Sequence, residues 1–203
     1  GLIGTIEYMI GGETVPATHT TPESLELHQL FAEMVAKGCS VAVMEVSSHS
    51  LTMLRVYGLD FSVGVFTNLT QDHLDFHGSM DQYFEAKQML FDGMTSSSFA
   101  ILNSDDSYGA RIAGRSKAKK LTYGITSPAD VRAKVVELNV QGATFEVERD
   151  GASTTVSSSL TGRFNVSNIL AAYSTAVALG VEEQKIIEGI RQLKVVRGRF
   201  EQV

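Results

Sequence analysis

Between Thr67 and Gly78 the chain reads TNLTQDHLDFHG, and positions 72–77 hold the carboxylates of Asp72 and Asp75 and the imidazoles of His73 and His77. The run follows directly on an apolar stretch, Phe61 to Phe66, with the character of a buried strand. In open parallel sheets, ligands gather at loops leaving the carboxyl ends of strands, so oxygen and nitrogen donors concentrated there point to a hard cation or a phosphoryl group. A second apolar stretch, Val41 to Val46, carries Glu45 near its end, with Ser47, Ser48 and His49 behind it. Neighbouring strands would then deliver both sets of side chains to one crevice, with the loops after Val46 and Phe66 adjacent at the carboxyl edge of the sheet. A metal-dependent phosphohydrolase could also use Asp-His-x-Asp-x-His. It would draw further histidines from later strands, however, and all five histidines here precede residue 78.

The elements that must position these groups alternate between short apolar strands and amphipathic helices. Gly1 to Ile10 is strand-rich, and Gly11-Gly12 predicts a hairpin turn into Glu13-Thr14-Val15. Thr21 as N-cap and Pro22 at the first helical position open a helix along Leu27, Leu30, Phe31, Met34 and Val35, closed by Gly38. Ser79 and Gln82 form a capping-box pattern for a helix through Phe91, and Phe99 to Leu102 reads as another buried strand. From Val131 the pattern becomes antiparallel, with Asp150-Gly151 as a turn; helices return at 164–179 and 182–193. The fold class is α/β, a mostly parallel doubly wound sheet with helices on both faces and a small antiparallel hairpin region near 131–158.

Composition narrows the partners. The 203 residues are 43% hydrophobic, enough for a full core. A net charge of -6 argues against nucleic acid, whose phosphates call for a basic patch; the basic residues of 114–120 read as a solvated loop face. The single cysteine, Cys39, excludes an internal disulfide framework and suits a reducing cytoplasm. No apolar run approaches the ~20 residues that span a bilayer, and no membrane partner is expected.

Several segments, in order, resemble the Mur ligases: GLIGTIEY, HTTPESLEL, MEVSSHSL, VFTNLTQDHLDFHGSMDQYFEAKQMLF, ILNSDDSYG, LTGRFNVSNILAA and the final GRFE. The likeness maps onto the family's central ATP-binding domain, implying such a domain at 1–193 and a linker at 194–203 toward a C-terminal domain. The family's phosphate loop, GTNGKT, precedes the GLIGT strand, and no G-x-x-x-x-G-K-[ST] pattern occurs in this sequence. The resemblance therefore implies a central domain without its first strand and phosphate loop. Such a piece is expected to be inactive alone, and a non-catalytic nucleotide-binding fragment is the alternative reading.

The activity implied is ATP-dependent amide bond formation, in which UDP-N-acetylmuramoyl-L-alanyl-D-glutamate is activated as an acyl phosphate and joined to diaminopimelate or lysine. Magnesium and ATP are implied with it. By the same resemblance Glu45 and His73 are metal ligands. Lys87 is the third, carbamylated so that a cation becomes an oxygen donor, and His73 and Lys87 are the catalytic pair. On its residues alone, Lys87 reads as a solvated helix lysine. Thr20, Thr21, Ser47 and Arg55 match positions that bind the muramoyl-peptide nucleotide, and Asn165, Asn168 and Arg199 match positions around ATP. Asp72, Asp75 and His77 are read as supports that orient His73. His19 and Met53 stand where some relatives carry Asn and Gln, and a methionine cannot replace an amide's hydrogen bonds.

Overall fold

The computed structural model describes residues 1–193, so Arg199 and the linker expected at 194–203 lie outside the described residues. The chain forms two compact units, one of Gly1–Asp60 with His73–Leu90, the other of Phe61–Asp72 with the residues from Phe91.

The first unit is built on β1 (Leu2–Ile3), β2 (Glu7–Ile10) and β3 (Glu13–Pro16), followed by α1 (Ser24–Ala36), β4 (Val43–Met44) and α2 (Ser48–Thr52). Its sheet runs β3-β2-β1-β4, with β1 and β4 parallel and the other pairs antiparallel. Gly11 and Gly12 turn β2 into β3 with φ of 60° and 91°, the left-handed pair a two-residue hairpin needs and glycine adopts without a Cβ clash. Alternation along β2 buries Tyr8 and Ile10 and turns Met9 outward. Leu27 and Met34, two helical turns apart, are the buried residues of α1; Leu30 and Phe31 are half-buried, and Val35, expected on the same stripe, is 73% exposed. A helix against so small a sheet buries only a narrow stripe. Later in the chain α3 (Leu74–His77) and α4 (Met80–Asp92) follow, and the Ser79 hydroxyl accepts from the Gln82 amide as the capping pattern predicts.

The second unit carries β5 (Val63–Phe66), β6 (Phe99–Asn103), α5 (Ser107–Arg115), β7 (Lys119–Gly124), β8 (Val131–Asn139), β9 (Gly142–Arg149), β10 (Ala152–Ser158), α6 (Arg163–Ala178) and α7 (Glu183–Gln192). Its six-stranded sheet runs β10-β9-β8-β7-β6-β5; β5 through β8 are parallel neighbours, and β8, β9 and β10 continue it antiparallel. The hairpin region expected near 131–158 is thus an extension of the parallel sheet. α6 crosses β6, β7 and β8, and its Val166, Leu170 and Tyr173 join Ile101, Tyr123, Phe145 and Val156 in one core. Each such side chain contributes about 1.5–3 kcal/mol on burial.

The expected single sheet is therefore two. β4 and β5, whose loops were expected side by side in one sheet, are edge strands of different sheets. The basic residues of 114–120 are exposed, as expected, but only Lys117 lies in the connection itself: Arg115 ends α5 and pairs with Asp92 at 2.7 Å, and Lys119 and Lys120 open β7, with Lys119 over the Phe99 ring.

Two glycines of α5 make opposite demands. A Cβ on Gly109 would come within 2.3 Å of the Asn103 carbonyl oxygen, whereas one on Gly114 would meet nothing within 4 Å. Gly109→Ala should destabilise the protein by about 1–3 kcal/mol, since helix or strand must shift. Gly114→Ala, at an exposed helical position, should be stabilising by about 0.5–1 kcal/mol. Chemical denaturation of both variants checks the pair.

Candidate functional site

The polar residues of the first unit converge on the end of β4. Thr21 is 1% exposed, and its hydroxyl donates to the Glu45 carbonyl at 2.8 Å while accepting from the Ser47 amide at 3.0 Å. It therefore does not cap α1, as its position before Pro22 implies; the N-cap is Glu23, with no side-chain cap bond. The backbone beyond a two-residue strand leaves polar groups outside the ladder, and the buried Thr21 hydroxyl satisfies two of them where at a solvent-accessible helix end it would satisfy one. Ser47 caps α2 by accepting from the Ser50 amide.

The Glu45 carboxylate accepts from the Thr5 hydroxyl at 2.5 Å, and Thr5 in turn lies 3.1 Å from the Thr20 hydroxyl. Arg55 donates through Nη1 to the Thr21 carbonyl at 2.9 Å and pairs through Nη2 with Glu23 at 2.6 Å. The same Nη2 contacts the Met53 sulfur at 3.4 Å, so Met53 serves as a weak acceptor for the arginine. The Arg55 Nε is buried without a hydrogen-bond partner. Thr20, Thr21, Glu45, Ser47 and Arg55 thus form one connected patch, with Thr5 as a member to which the sequence reading assigned no role.

The imidazoles form a second group in the same unit. His73 adopts the left-handed conformation, φ 53°, directly before α3, an uncommon choice for a residue with a Cβ. Its carbonyl accepts from the His77 amide at 2.9 Å. The His49 ring lies 5.0 Å from His73, edge to face, and 5.5 Å from His77. His77 is buried, stacks on Tyr83 at 4.9 Å and shares a 2.8 Å hydrogen bond with the Ser48 hydroxyl. Burial pushes the His77 imidazole below its ordinary pKa, helped by His49, His73 and Lys87 and opposed by Asp75. Lys87 is half-buried, its ammonium 5.2 Å from the Tyr83 ring centre, so it is not the solvated lysine of the residue-only reading. Among the described residues no group of three or more His, Cys, Asp or Glu is placed to hold a metal ion. One carboxylate and one imidazole, Glu45 and His73, suit a hard dication only if other oxygens complete its shell.

In the second unit, aspartates and an asparagine tie down the strand ends. Asn103 donates to the Thr67 carbonyl at 2.6 Å, and Asp106 accepts from the Leu69 amide at 2.8 Å while capping α5 through the Tyr108 amide. Asp105 accepts from the amides of Ile125, Thr126 and Ser127 and from the Thr126 hydroxyl. Partial burial pushes its carboxyl up, but these four donors outweigh it and hold the pKa at about 2. Asn165 and Asn168 lie in the first turns of α6: Asn165 donates to the Thr161 carbonyl at 2.7 Å, and Asn168 is exposed. The N-cap there is Gly162, at φ 95°. A polar cleft also opens beside Asn139, Ser157 and Arg191, but Arg191 is paired with Glu188 at 2.6 Å and none of the expected site residues lines it.

A mainly parallel sheet flanked by helices, with polar loop residues pinned at its strand ends, defines an α/β domain of the open-sheet class, in which ligands bind outside the carboxyl ends of the strands. The Mur ligase middle domain matches residues 1–176, and the chain belongs to the Mur ligase family. The UDP-N-acetylmuramoyl-L-alanyl-D-glutamate--2,6-diaminopimelate ligase of Solibacter usitatus is 46% identical over 204 residues, covering all of this chain and 41% of that protein. The enzyme of the same name from Bacillus velezensis is 45% identical over 209 residues, covering 43% of its length. A solved structure of a ligase with this name superposes with a TM-score of 0.84 at 30% identity, over 98% of this chain and 42% of that one. MurF from Acinetobacter baumannii gives 0.74 at 26% identity, over 89% and 41%. The chain spans about two fifths of the length of the curated relatives it matches.

Asp105 gives a pH signature. Its carboxyl is more acidic folded than in an unfolded chain, so its contribution is present above an unfolded pKa of about 3.9 and is lost as pH falls toward about 2. Asp105→Asn should cost about 1 kcal/mol at neutral pH, allowing for solvent screening of an exposed group. The variant should also lack that part of the wild type's acid sensitivity between pH ~4 and ~2. Thermal melts across that range measure both.

Proposed function

We propose that this chain forms the middle-domain part of an ATP-dependent ligase that joins diaminopimelate to UDP-N-acetylmuramoyl-L-alanyl-D-glutamate. The observation that carries the reading is the hydrogen-bonded patch at the end of β4, where Thr5, Thr20 and Thr21 surround Glu45 and connect to Ser47 and Arg55. The names of the similar ligases supply the substrate class and favour diaminopimelate over lysine.

In this reading the γ-phosphoryl group of ATP passes to the D-glutamate carboxylate, giving an acyl phosphate and ADP. The amine of diaminopimelate then attacks the acyl carbon, phosphate leaves, and the amine gives up a proton as the amide forms. Thr20 and Ser47 bind the muramoyl-peptide nucleotide, and Thr21, whose buried hydroxyl is committed to the Glu45 carbonyl and the Ser47 amide, holds that backbone in place. Arg55, already oriented by the Thr21 carbonyl and Glu23, offers its guanidinium to a carboxylate or phosphate. Magnesium, when bound, supplies screening of the repulsion between carboxylate and polyphosphate. Glu45 and His73 would hold it, with Lys87 as the third ligand in its carbamylated form. Asn165 and Asn168 would face the adenine, where an amide offers donor and acceptor together, and Arg199 is assigned to the same nucleotide by its GRFE motif alone. The free thiol of Cys39 suits a cytoplasmic enzyme. The 203 residues alone would not ligate, because they carry no G-x-x-x-x-G-K-[ST] cradle for the phosphates.

The test is made in the ligase containing this chain, by phosphate release with ATP, the muramoyl-dipeptide nucleotide and diaminopimelate. Lys87→Ala should lower turnover by about 100-fold or more, with partial return on adding short carboxylic acids. No ATP-dependent phosphate release in the wild type would end the ligase reading, and full activity in Lys87→Ala would end the role given to the lysine.

A further inference from the structure

The Tyr83 ring is touched from three directions by groups that the ligase reading does and does not use. His77 stacks on it at 4.9 Å with the planes 16° apart, His73 meets it edge-on at 5.9 Å, and the Lys87 ammonium sits 5.2 Å from its centre. Tyr83 and His77 are each 7% exposed, and Ser48, whose hydroxyl shares a 2.8 Å hydrogen bond with His77 Nε2, is 2% exposed. His77 also donates its backbone amide to the His73 carbonyl, closing the turn in which His73 holds its left-handed conformation. Any residue at 77 would make that main-chain bond; what the His77 side chain adds is the stack on Tyr83, the ring that His73 meets edge-on and on which Lys87 rests.

We propose that His77 is a positioning residue that, anchored by Ser48 and stacked on Tyr83, sets the relative placement of His73 and Lys87. A buried imidazole is costly without a partner, and an apolar ring would fill the same space at no such cost. What the imidazole adds is direction. The bond to Ser48 fixes the rotation of the ring, the ring fixes Tyr83, and Lys87, one helical turn beyond Tyr83 on α4, follows. His49 lies 5.0 Å from His73 and 5.5 Å from His77, and Phe76 packs against both His49, at 4.0 Å, and His77, at 4.8 Å. The consequence for catalysis rests on the ligase reading; the geometric claim does not.

The two are tested apart. In the protein labelled with [ε-13C]lysine and [13C]histidine, the Lys87 ε-methylene is identified by its loss in Lys87→Arg, and the His73 ring by its loss in His73→Gln. Lying against an aromatic face, the Lys87 signal should stand upfield of the exposed lysines. His77→Asn keeps a partner for Ser48 but removes the stacked ring; His77→Phe keeps the ring but removes the bond. Both should move the Lys87 signal toward the exposed lysines and shift the His73 signals. Ser48→Ala, which keeps every ring but removes the bond that sets the His77 rotation, should do the same to a smaller degree. Unchanged Lys87 and His73 signals in the folded His77 variants would overturn the proposal. In the ligase, His77→Phe should raise the magnesium concentration for half-maximal rate by about 10–100-fold, as loss of a ligand's supporting partner does. The KM for the muramoyl-peptide nucleotide should change by less than about twofold, a split that a general loss of stability would not produce. If the wild type releases no phosphate, the ligase reading falls and the lysine and histidine signals alone decide the positioning claim.

Discussion

A single hydroxyl holds the first unit's polar patch together. Thr21, in the segment before α1, bridges the carbonyl of Glu45 and the amide of Ser47. β4 has only two residues and hydrogen-bonds to one neighbour, β1; the last bond between them runs from the Glu45 amide to the Ile3 carbonyl, so the Glu45 carbonyl and the Ser47 amide take their partner from outside the ladder. By supplying both a donor and an acceptor, the threonine fixes where the carboxylate of Glu45 begins and where α2 starts. Thr5, Thr20 and Arg55 then attach to positions already set. Without that bridge, the side chains grouped around Glu45 would be separate loop residues.

The same solution recurs in the second unit with aspartates in place of threonine. Asp105 and Asp106 accept from main-chain amides of the loops after β5 and β7 and from the first turn of α5. A carboxylate accepting several amides is held ionised, and such charge-assisted bonds are roughly twice as strong as neutral ones. Loops at the carboxyl ends of parallel strands must be rigid to present side chains to a ligand, yet they cannot be stiffened by sheet pairing. Short acidic and hydroxyl side chains do it instead. Histidine does it in the block around Tyr83, where burial favours the neutral imidazole and lets it pack as a ring while still making one directed bond.

Much of this was legible before any coordinates. The turn at Gly11-Gly12, the Ser79 cap of α4, the buried face of β6 and the helices α6 and α7 follow from chemistry within a few residues of each position. The ordered motifs, from GLIGTIEY to LTGRFNVSNILAA, were enough to point to the family that the middle-domain match then established. The short helices α2 and α3, with α5 and β7 between residues 103 and 130, went unassigned. Five- and four-residue helices carry too little periodicity, and the α5 segment is interrupted by Gly109 and Gly114.

By itself the sequence determined the types of the principal elements, the turns that glycine and capping residues impose, and the inventory of donors near the strand ends. Tertiary structure decided what those donors do. The Thr21 hydroxyl has partners 24 and 26 residues away, Arg55 reaches back 34, and His77 finds Ser48 across 29. A threonine before a proline can cap a helix or bridge two strands, and a histidine after an aspartate can bind a metal or brace one that does. Local propensity favours neither, because the difference lies in which buried groups are left without partners once the chain has folded. The separation of β4 and β5 into two sheets was decided in the same way, by pairing between segments far apart in the chain.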